Sequence, residues 1–414
     1  MDLALKRACR NEYLLQSSVM STSGLMEPFM KNTLKIMAAL ATLLSSTTQA
    51  QTSVTLYGVL DTGIGYSSVD GTIVDPVTNQ RVSIDRSRFG MTDSVKRGTS
   101  WGLRGKEDLG DGLYAKFHLE SGFNLSDGES AQGGRLFGRT ATVGLGSDNW
   151  GELDFGRQYN FGFRYFYSFL GPTFGGGFTP VNLGTGSGFS SVNANRYDNM
   201  VSYQTPTING FRMGLGYSFS ADDLRSNQVG FNTADNTRAI TAGLQYANGP
   251  LSAVVTYDQL NPSNMLSDGQ VRATPRSYVV GAAYDFEVAK LALAYNRTTD
   301  GWFAGKGMLG GAVGGFNGTP TNAFVDGFKS NSYLVAVEAP IGASSKVYGS
   351  WMRADANNKD LTGGDATSDT FTAGYTYTLS KRTDLYAVGS YTNRFAFMDD
   401  VKAKEFSVGL RHQF

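Results

Sequence analysis

Few residues of the chain have the types that acid–base, nucleophilic or metal chemistry requires. The 414 residues include two histidines, His118 and His412, and one cysteine, Cys9. The sequence shows no nucleophile–base motif, no paired His and Glu at metal-binding spacing and no Asp-rich calcium loop. One cysteine excludes a disulfide framework and a thiolate zinc site. The sequence therefore predicts neither an enzyme nor a bound cofactor.

Arginines are the other chemically informative residues, because one long stretch contains them without any carboxylate. No Asp or Glu occurs between Asp154 and Asp198, whereas this stretch contains Arg157, Arg164 and Arg196. Guanidinium groups around a narrow water-filled passage attract anions, since low-dielectric walls strengthen the potential between them. The effect of these arginines therefore depends on the elements that position them.

The composition favours many short strands. Gly contributes 52 of 414 residues, which exceeds the usual ~7% of a protein, and aromatic residues reach 12%. Only 17% of the residues are charged, and Lys+Arg and Asp+Glu are both 36. The balanced charge gives no reason to expect nucleic acid as a partner.

Residues 30–50 have the pattern of a secretory signal peptide. Lys31 and Lys35 precede the apolar run 36–44, and small residues lead up to Ala50 at the spacing that signal peptidase recognises. The run is too short to span a hydrocarbon core of ~30 Å. The alternative is a short buried helix.

We expect cleavage before Gln51, so that the mature domain is 51–414. Residues 1–29 precede the signal and show no periodicity, and we interpret them as a mis-annotated N-terminal extension. No run of 18 apolar residues follows, so no transmembrane helix is predicted in the mature domain.

Alternation of apolar with polar or small residues recurs along the mature chain, as in half-buried strands. We count sixteen such segments, with boundaries uncertain by a few residues. They are 54–66, 98–105, 113–123, 136–146, 150–158, 198–206, 210–219, 238–247, 250–259, 276–286, 289–299, 330–339, 344–354, 369–379, 383–393 and 405–414.

The connectors between these segments alternate between short and long along the chain. Short turns such as 146–149 and 247–249 separate long, polar, Gly-rich connectors such as 67–97 and 159–197. A soluble sandwich has no reason to place every long connector at one end, whereas a membrane barrel has short periplasmic turns and long external loops. The predicted fold is therefore all-β, a 16-stranded antiparallel transmembrane barrel with long extracellular loops.

Several motifs resemble those of the trimeric general porins of β-proteobacteria, across essentially all of 51–414. The motifs are SVTLYGVLD at 53–61, WGLRGKEDLGDGL at 101–113, GELDFGRQY at 151–159, RYDN at 196–199, YTLSKRTDLY at 377–386 and GLRHQF at 409–414. The resemblance implies a homotrimer of barrels in the outer membrane, each with its own water-filled pore. It also implies that the third long loop, 159–197, folds into the pore, which agrees with its many aromatic residues.

The resemblance also suggests which cations line the constriction. Arg139 and Arg196 match wall arginines of the family, and Arg164 lies in the third loop. Lys116 and Arg104 share the parity inferred for the lumen. These residues predict weak-to-moderate anion selectivity. The alternative is that the arginines pair with wall carboxylates such as Glu120 or Asp285.

Two arginine positions depart from this pattern. Ser100 stands where the family often has an arginine, so one wall cation is missing, and Lys116 and Arg104 could replace it. Arg157 has the parity of the outer face, where we expect a subunit contact with Glu129 of a neighbouring chain rather than a position in the pore.

The last segment carries a predicted membrane-insertion signal, in which alternate residues lead to a terminal aromatic residue. A plain edge strand is the alternative. The residues of this face are Phe406, Val408, Leu410, His412 and Phe414.

The predicted function is passive diffusion of small hydrophilic solutes and inorganic ions through a bilayer-embedded channel, without a cofactor. Two other functions stay open at this point. One is a solute-selective porin for phosphate or organic anions, and the other is a surface-interaction barrel whose loops bind a host or phage partner.

Overall fold

The computed structural model describes residues 53–74, 81–170, 195–221, 233–264, 274–300, 327, 329–356, 367–395 and 399–414. The predicted extension at 1–29 and the predicted signal peptide at 30–50 lie outside these residues. So does the part of the third loop between 171 and 194.

Seventeen strands form one antiparallel sheet. They are β1 (Ser53–Val74), β2 (Arg81–Asp93), β3 (Ser100–Gly110), β4 (Leu113–Gly122), β5 (Thr140–Ser147), β6 (Gly151–Tyr159), β7 (Arg196–Gln204), β8 (Phe211–Ser218), β9 (Arg238–Asn248), β10 (Leu251–Asn261), β11 (Arg276–Asp285), β12 (Lys290–Thr299), β13 (Lys329–Ile341), β14 (Ser345–Ala356), β15 (Thr367–Ser380), β16 (Thr383–Asn393) and β17 (Lys402–Gln413).

Helical structure is sparse and none of it crosses the sheet. A short helical turn lies at Ala131–Gly134, a 3-10 turn at Thr233–Asp235, and helix α1 at Phe161–Leu170. In the described parts of the chain, no helix is both long enough and apolar enough to span a membrane.

Strand β1 closes the sheet into a barrel. Its residues 59–70 pair with β17, and the backbones of Gly58 and Phe414 exchange two further hydrogen bonds. On its other edge, residues 53–59 pair with β3 and residues 62–74 pair with β2. Because β2 and β3 share one edge of β1, the barrel has sixteen strands around its circumference, as predicted.

The prediction missed β2 because it lies inside the connector 67–97. Strand β2 pairs with the part of β1 beyond the contact with β3. Ile73 and Val74 of β1 and Val82 and Ile84 of β2 flank a short segment rich in turn-forming residues. This hairpin pattern was the available signal.

The outer face of the barrel is apolar, as the alternation predicted. Phe406, Val408, Leu410 and Phe414 of the last segment are 53%, 44%, 40% and 43% exposed. Exposed apolar side chains also occur on other strands, for example Leu56 at 58% and Val280 at 52%. A band of this kind is stable only against lipid, because large apolar patches are not left in water.

Helix α1 packs inside the barrel, where it lies against β8, β9, β10 and β11. Asn160 precedes the helix and caps it, because its side-chain oxygen accepts the backbone N–H of Phe163 at 2.8 Å. Phe161 is 0% and Tyr165 is 2% exposed, so these two aromatic rings pack against the wall, as the sequence predicted for the loop.

Candidate functional site: the charged lumen

The barrel encloses a water-accessible cavity of about 2180 Å³. Among the described residues that line it, twelve are Lys or Arg and eight are Asp or Glu, so the lining has a cationic excess. The five predicted pore cations all belong to this lining. They are Arg104, Lys116, Arg139, Arg164 and Arg196.

Lys116 lies in an ion-pair cluster. Its Nζ is 2.7 Å from Glu152 Oε2 and 3.0 Å from Asp154 Oδ2. One ammonium beside two carboxylates leaves a local negative balance. Lys116 is therefore paired, and its replacement of the wall cation that is missing at Ser100, which is itself 2% exposed, stays a prediction.

Arg139 is turned towards the lumen, as the resemblance implied, but it is also paired. Its Nε donates to Glu120 Oε1, and its backbone N–H donates to the Glu120 carbonyl at 3.1 Å. Glu120 also accepts the hydroxyl of Tyr57 at 2.6 Å, and that hydroxyl contacts His118 Nε2. For Arg139, the alternative of pairing with Glu120 is confirmed.

The other named carboxylate, Asp285, plays no such role among the described contacts. It ends β11 and accepts the backbone N–H of Glu287 at 2.8 Å.

Arg196 has an aromatic partner instead of a carboxylate. Its guanidinium carbon lies 4.2 Å from the centre of the Tyr159 ring, and Nη2 donates to the Tyr159 hydroxyl. Tyr159 also stacks on Phe163 at 4.8 Å, so the ring is held between helix α1 and the wall. A cation–π contact orients a guanidinium without cancelling its charge.

Arg164 and Arg104 are held in a similar way. Arg164 Nη2 lies 3.3 Å from Gln158 Oε1 and its guanidinium lies 5.2 Å from the Phe161 ring centre. Burial lowers the pKa of Arg164, and nearby Asp154 opposes that shift. Arg104 lies over the Tyr57 ring at 5.3 Å.

Arg104, Arg164 and Arg196 therefore differ from Lys116 and Arg139. Within the described ranges, no carboxylate forms an ion pair with any of these three arginines.

Arg157 has a partner within its own chain. Its Nη1 lies 2.7 Å from Asp198 Oδ1, its Nε donates to the Gly138 carbonyl at 2.7 Å, and only 9% of its side chain is exposed. Arg135 Nη1 binds the same carboxylate at 2.8 Å. Glu129 is exposed on the second long loop. The contact between Arg157 and a neighbour's Glu129 stays a prediction, and no described contact supports it.

The sequence-based prediction missed a charged segment that folds inwards between β2 and β3. Asp61 of β1 is 0% exposed, and its Oδ2 accepts the backbone N–H groups of Lys96 at 2.9 Å and Arg97 at 2.6 Å. Lys96 and Arg97 both line the cavity. The available signal was a pair of cations just before the first residue of a barrel strand.

Groups of three or more metal-ligating side chains are not found within the described part of the chain. The described part of the lining therefore presents no cluster of metal ligands.

Comparisons with known proteins agree with this architecture. Residues 37–394 match the family model described as Gram-negative porin. An outer membrane porin protein of Bordetella pertussis is 55% identical over 396 residues, which are 93% of this chain and 100% of that protein. Outer membrane porin protein 32 of Delftia acidovorans is 32% identical over 365 residues, 86% of this chain and 88% of that protein.

A solved structure, described as an anion-selective porin from Comamonas acidovorans, has a similar fold. It superimposes with a TM-score of 0.64 and 26% sequence identity, and the match covers 88% of this chain and 100% of that one.

Proposed function

This chain belongs to the Gram-negative porin family, and we propose that its channel prefers anions to cations. It is an outer-membrane porin, through whose water-filled lumen small hydrophilic solutes and ions diffuse passively. The free energy for this flow comes from the concentration gradient and the membrane potential.

The observation that supports the anion preference is the charge state of the lumen. The described lining has four more cationic than anionic side chains, twelve against eight, and Arg104, Arg164 and Arg196 have no described carboxylate as an ion-pair partner. Low-dielectric walls concentrate this potential along the ion path. The similar structure from Comamonas acidovorans, described as anion-selective, supports the same direction.

Purified protein in a planar bilayer is expected to give stepwise conductance with a reversal potential of anion sign in a KCl gradient. The physical reason is that cations are repelled and anions concentrated wherever guanidinium groups without paired carboxylates line the pore. A reversal potential of cation sign would contradict the proposed preference, although not the channel function.

The same recording separates the two other functions that the sequence left open. Block of the current by low concentrations of phosphate or an organic anion would favour a solute-selective porin. Absence of any stepwise conductance would instead favour a barrel that acts as a surface for partners.

We also propose that the mature protein is a homotrimer of chains that begin at Gln51, as the family resemblance implies. Native mass spectrometry of protein extracted from outer membranes is expected to give three copies of residues 51–414. A single copy, or a subunit that retains residues 1–50, would contradict the oligomeric state or the cleavage site separately.

A further inference from the structure

We infer that the segment Ser94–Thr99, here called the inward segment, is a second pore-lining element and that Arg97 on it determines ion selectivity. We assign Asp61 as the positioning residue that holds the segment in the lumen. This inference deepens the proposed anion preference and rests on it for the sign of the expected effect.

The backbone of the inward segment is tied to a single residue of the wall at both ends. Ser94 donates its N–H to the Asp61 carbonyl at 2.9 Å. The hydroxyl of Thr99 donates to the same carbonyl at 3.1 Å and accepts the backbone N–H of Asp61, also at 3.1 Å. Thr99 in turn donates its N–H to Ser94 Oγ at 2.9 Å, which closes the segment into a loop.

The side chain of Asp61 fixes the middle of this loop. Besides the N–H groups of Lys96 and Arg97, its Oδ1 accepts the hydroxyl of Tyr386 on β16 at 2.7 Å. A carboxylate that is 0% exposed requires such donors, because burying it without them would cost several kcal/mol. Two of its three hydrogen bonds, those from the N–H groups of Lys96 and Arg97, therefore depend on the segment remaining inside the barrel.

Two side chains of the segment anchor it to strands β14, β15 and β16. Val95 packs in an apolar cluster with Tyr348 and Tyr386. Lys96 Nζ lies 2.7 Å from Asp384 Oδ1 and 3.0 Å from Thr376 Oγ1. Lys96 is thus paired, but Asp384 also pairs with Arg411, so the three side chains together carry one positive charge.

Arg97 is the residue of the segment whose charge is left to act on ions. It is exposed and lines the cavity, and no described side chain forms an ion pair with it. Its neighbour Gly98 touches the Arg139 guanidinium so closely that a Cβ built on Gly98 would lie 2.5 Å from Nη1. The segment therefore places Arg97 beside the wall cations of the lumen.

The inward segment and helix α1 contact separate arcs of the barrel. The helix lies against β8 to β11, whereas the segment contacts β1, β14, β15 and β16. The lumen is thus filled from two sides, and the cationic wall formed by β3 to β7 lies between them.

The first test is Arg97→Gln, measured as the reversal potential in a KCl gradient. We expect the Cl⁻/K⁺ permeability ratio to fall about fourfold, because one unit charge ~10 Å from the ion path in a water-like dielectric changes the permeability of each ion about twofold and in opposite directions. Arg97→Lys should keep the ratio of the unmodified protein. Arg382→Gln, at an exposed turn outside the cavity lining, is the matched control and should also leave it unchanged.

The second test, Asp61→Ala, separates positioning from simple charge. If Asp61 acted only as a negative charge, its removal would raise the Cl⁻/K⁺ ratio. If it positions the segment, the loss of an acceptor for two N–H groups releases Arg97 and the ratio falls. A rise of the Cl⁻/K⁺ ratio in the Asp61 variant would overturn the inference, even in a channel that prefers anions. An unchanged ratio in Arg97→Gln would do the same.

A third measurement remains informative if Asp61→Ala does not fold. Arg97→Cys should be modified by water-soluble methanethiosulfonate reagents in the open channel, in a chain whose one native cysteine is Cys9. A positively charged reagent should restore the ratio and a negatively charged one should lower it further. Equal ratios after both reagents would place residue 97 away from the ion path.

Discussion

Arg196→Glu is expected to change the reversal potential in a KCl gradient from anion to cation sign. Arg196 has the Tyr159 ring at 4.2 Å as its partner and no described carboxylate, so its full charge acts on the lumen. The substitution changes the local charge by two units and adds a carboxylate beside Arg139 and Tyr159. Two unit charges ~10 Å from the ion path change the permeability of each ion about fourfold and in opposite directions, so the ratio changes about sixteenfold, which exceeds a weak preference.

The matched control for this prediction is the double substitution Arg139→Gln with Glu120→Gln. These two side chains form an ion pair whose charges sum to zero. Removing both is therefore expected to leave the reversal potential unchanged, although the pair lines the same cavity. Arg139→Glu alone should shift the potential towards cations, because it leaves two carboxylates in place of a neutral pair.

An unchanged potential in Arg196→Glu would place Arg196 outside the constriction. A change of equal size in the double control would show that the geometry of this wall, rather than its net charge, sets the selectivity. The two outcomes are distinguishable, since one is an unchanged reversal potential in Arg196→Glu and the other is a changed reversal potential in the double substitution.

The sixteen barrel strands could be predicted because two solvents impose their alternation. Each strand has lipid on one side and water on the other, so apolar and polar residues must alternate over about ten residues. Strand β2 is less constrained, because it pairs with the part of β1 that extends beyond the contact between β1 and β3. The pattern of residues such as Arg86, Ser87 and Arg88 reflects water on both sides, and the alternation rule does not detect it.

Within the site, parity correctly placed Lys116 and Arg104 in the lumen, because both lie inside regular strands. Arg139 precedes the first residue of β5, so alternation gave it no direction and only the family resemblance did. For Arg157, parity assigned the outer face, whereas the structure gives the side chain two partners in its own chain, Asp198 and the Gly138 carbonyl. Arg157 neighbours Gly156, whose φ of +123° interrupts the regular strand geometry.

The pairing of each cation with a carboxylate could not be predicted, because it depends on contacts between residues that are distant in the sequence. Lys116 and its partner Glu152 are 36 positions apart, and Asp61 and its donor Tyr386 are 325 positions apart. No local pattern specifies such pairs. They follow from strand register and barrel closure, which bring the inward segment against β16.

Gly214→Ala and Gly243→Ala are each expected to reduce the single-channel conductance and the stability of the folded barrel. A Cβ on Gly214 would lie 2.2 Å from the Phe161 ring, and a Cβ on Gly243 would lie 2.6 Å from the Tyr165 ring. Both rings are almost fully buried and cannot turn aside. Overpacking of this kind costs about 1–3 kcal/mol.

The direction of the conductance change follows from what surrounds helix α1. The strands behind it form a closed, hydrogen-bonded wall, so the helix can yield only towards the pore axis. The N–H of Phe161 would lose its 2.8 Å hydrogen bond to Thr241 Oγ1, and Arg164 would move further into the lumen. A helix that protrudes further leaves a narrower path for ions.

Gly281→Ala on β11 is the matched control, because a Cβ there would meet its nearest atoms at 3.4 Å, within tolerable contact. It makes the same chemical change on another strand that contacts helix α1, where the nearest atoms belong to Ala294, Val254 and Leu293. We expect its conductance and thermal unfolding midpoint to equal those of the unmodified protein. If Gly214→Ala and Gly243→Ala behaved like Gly281→Ala in both measurements, close packing of the aromatic rings on the glycines would not be what sets the position of helix α1.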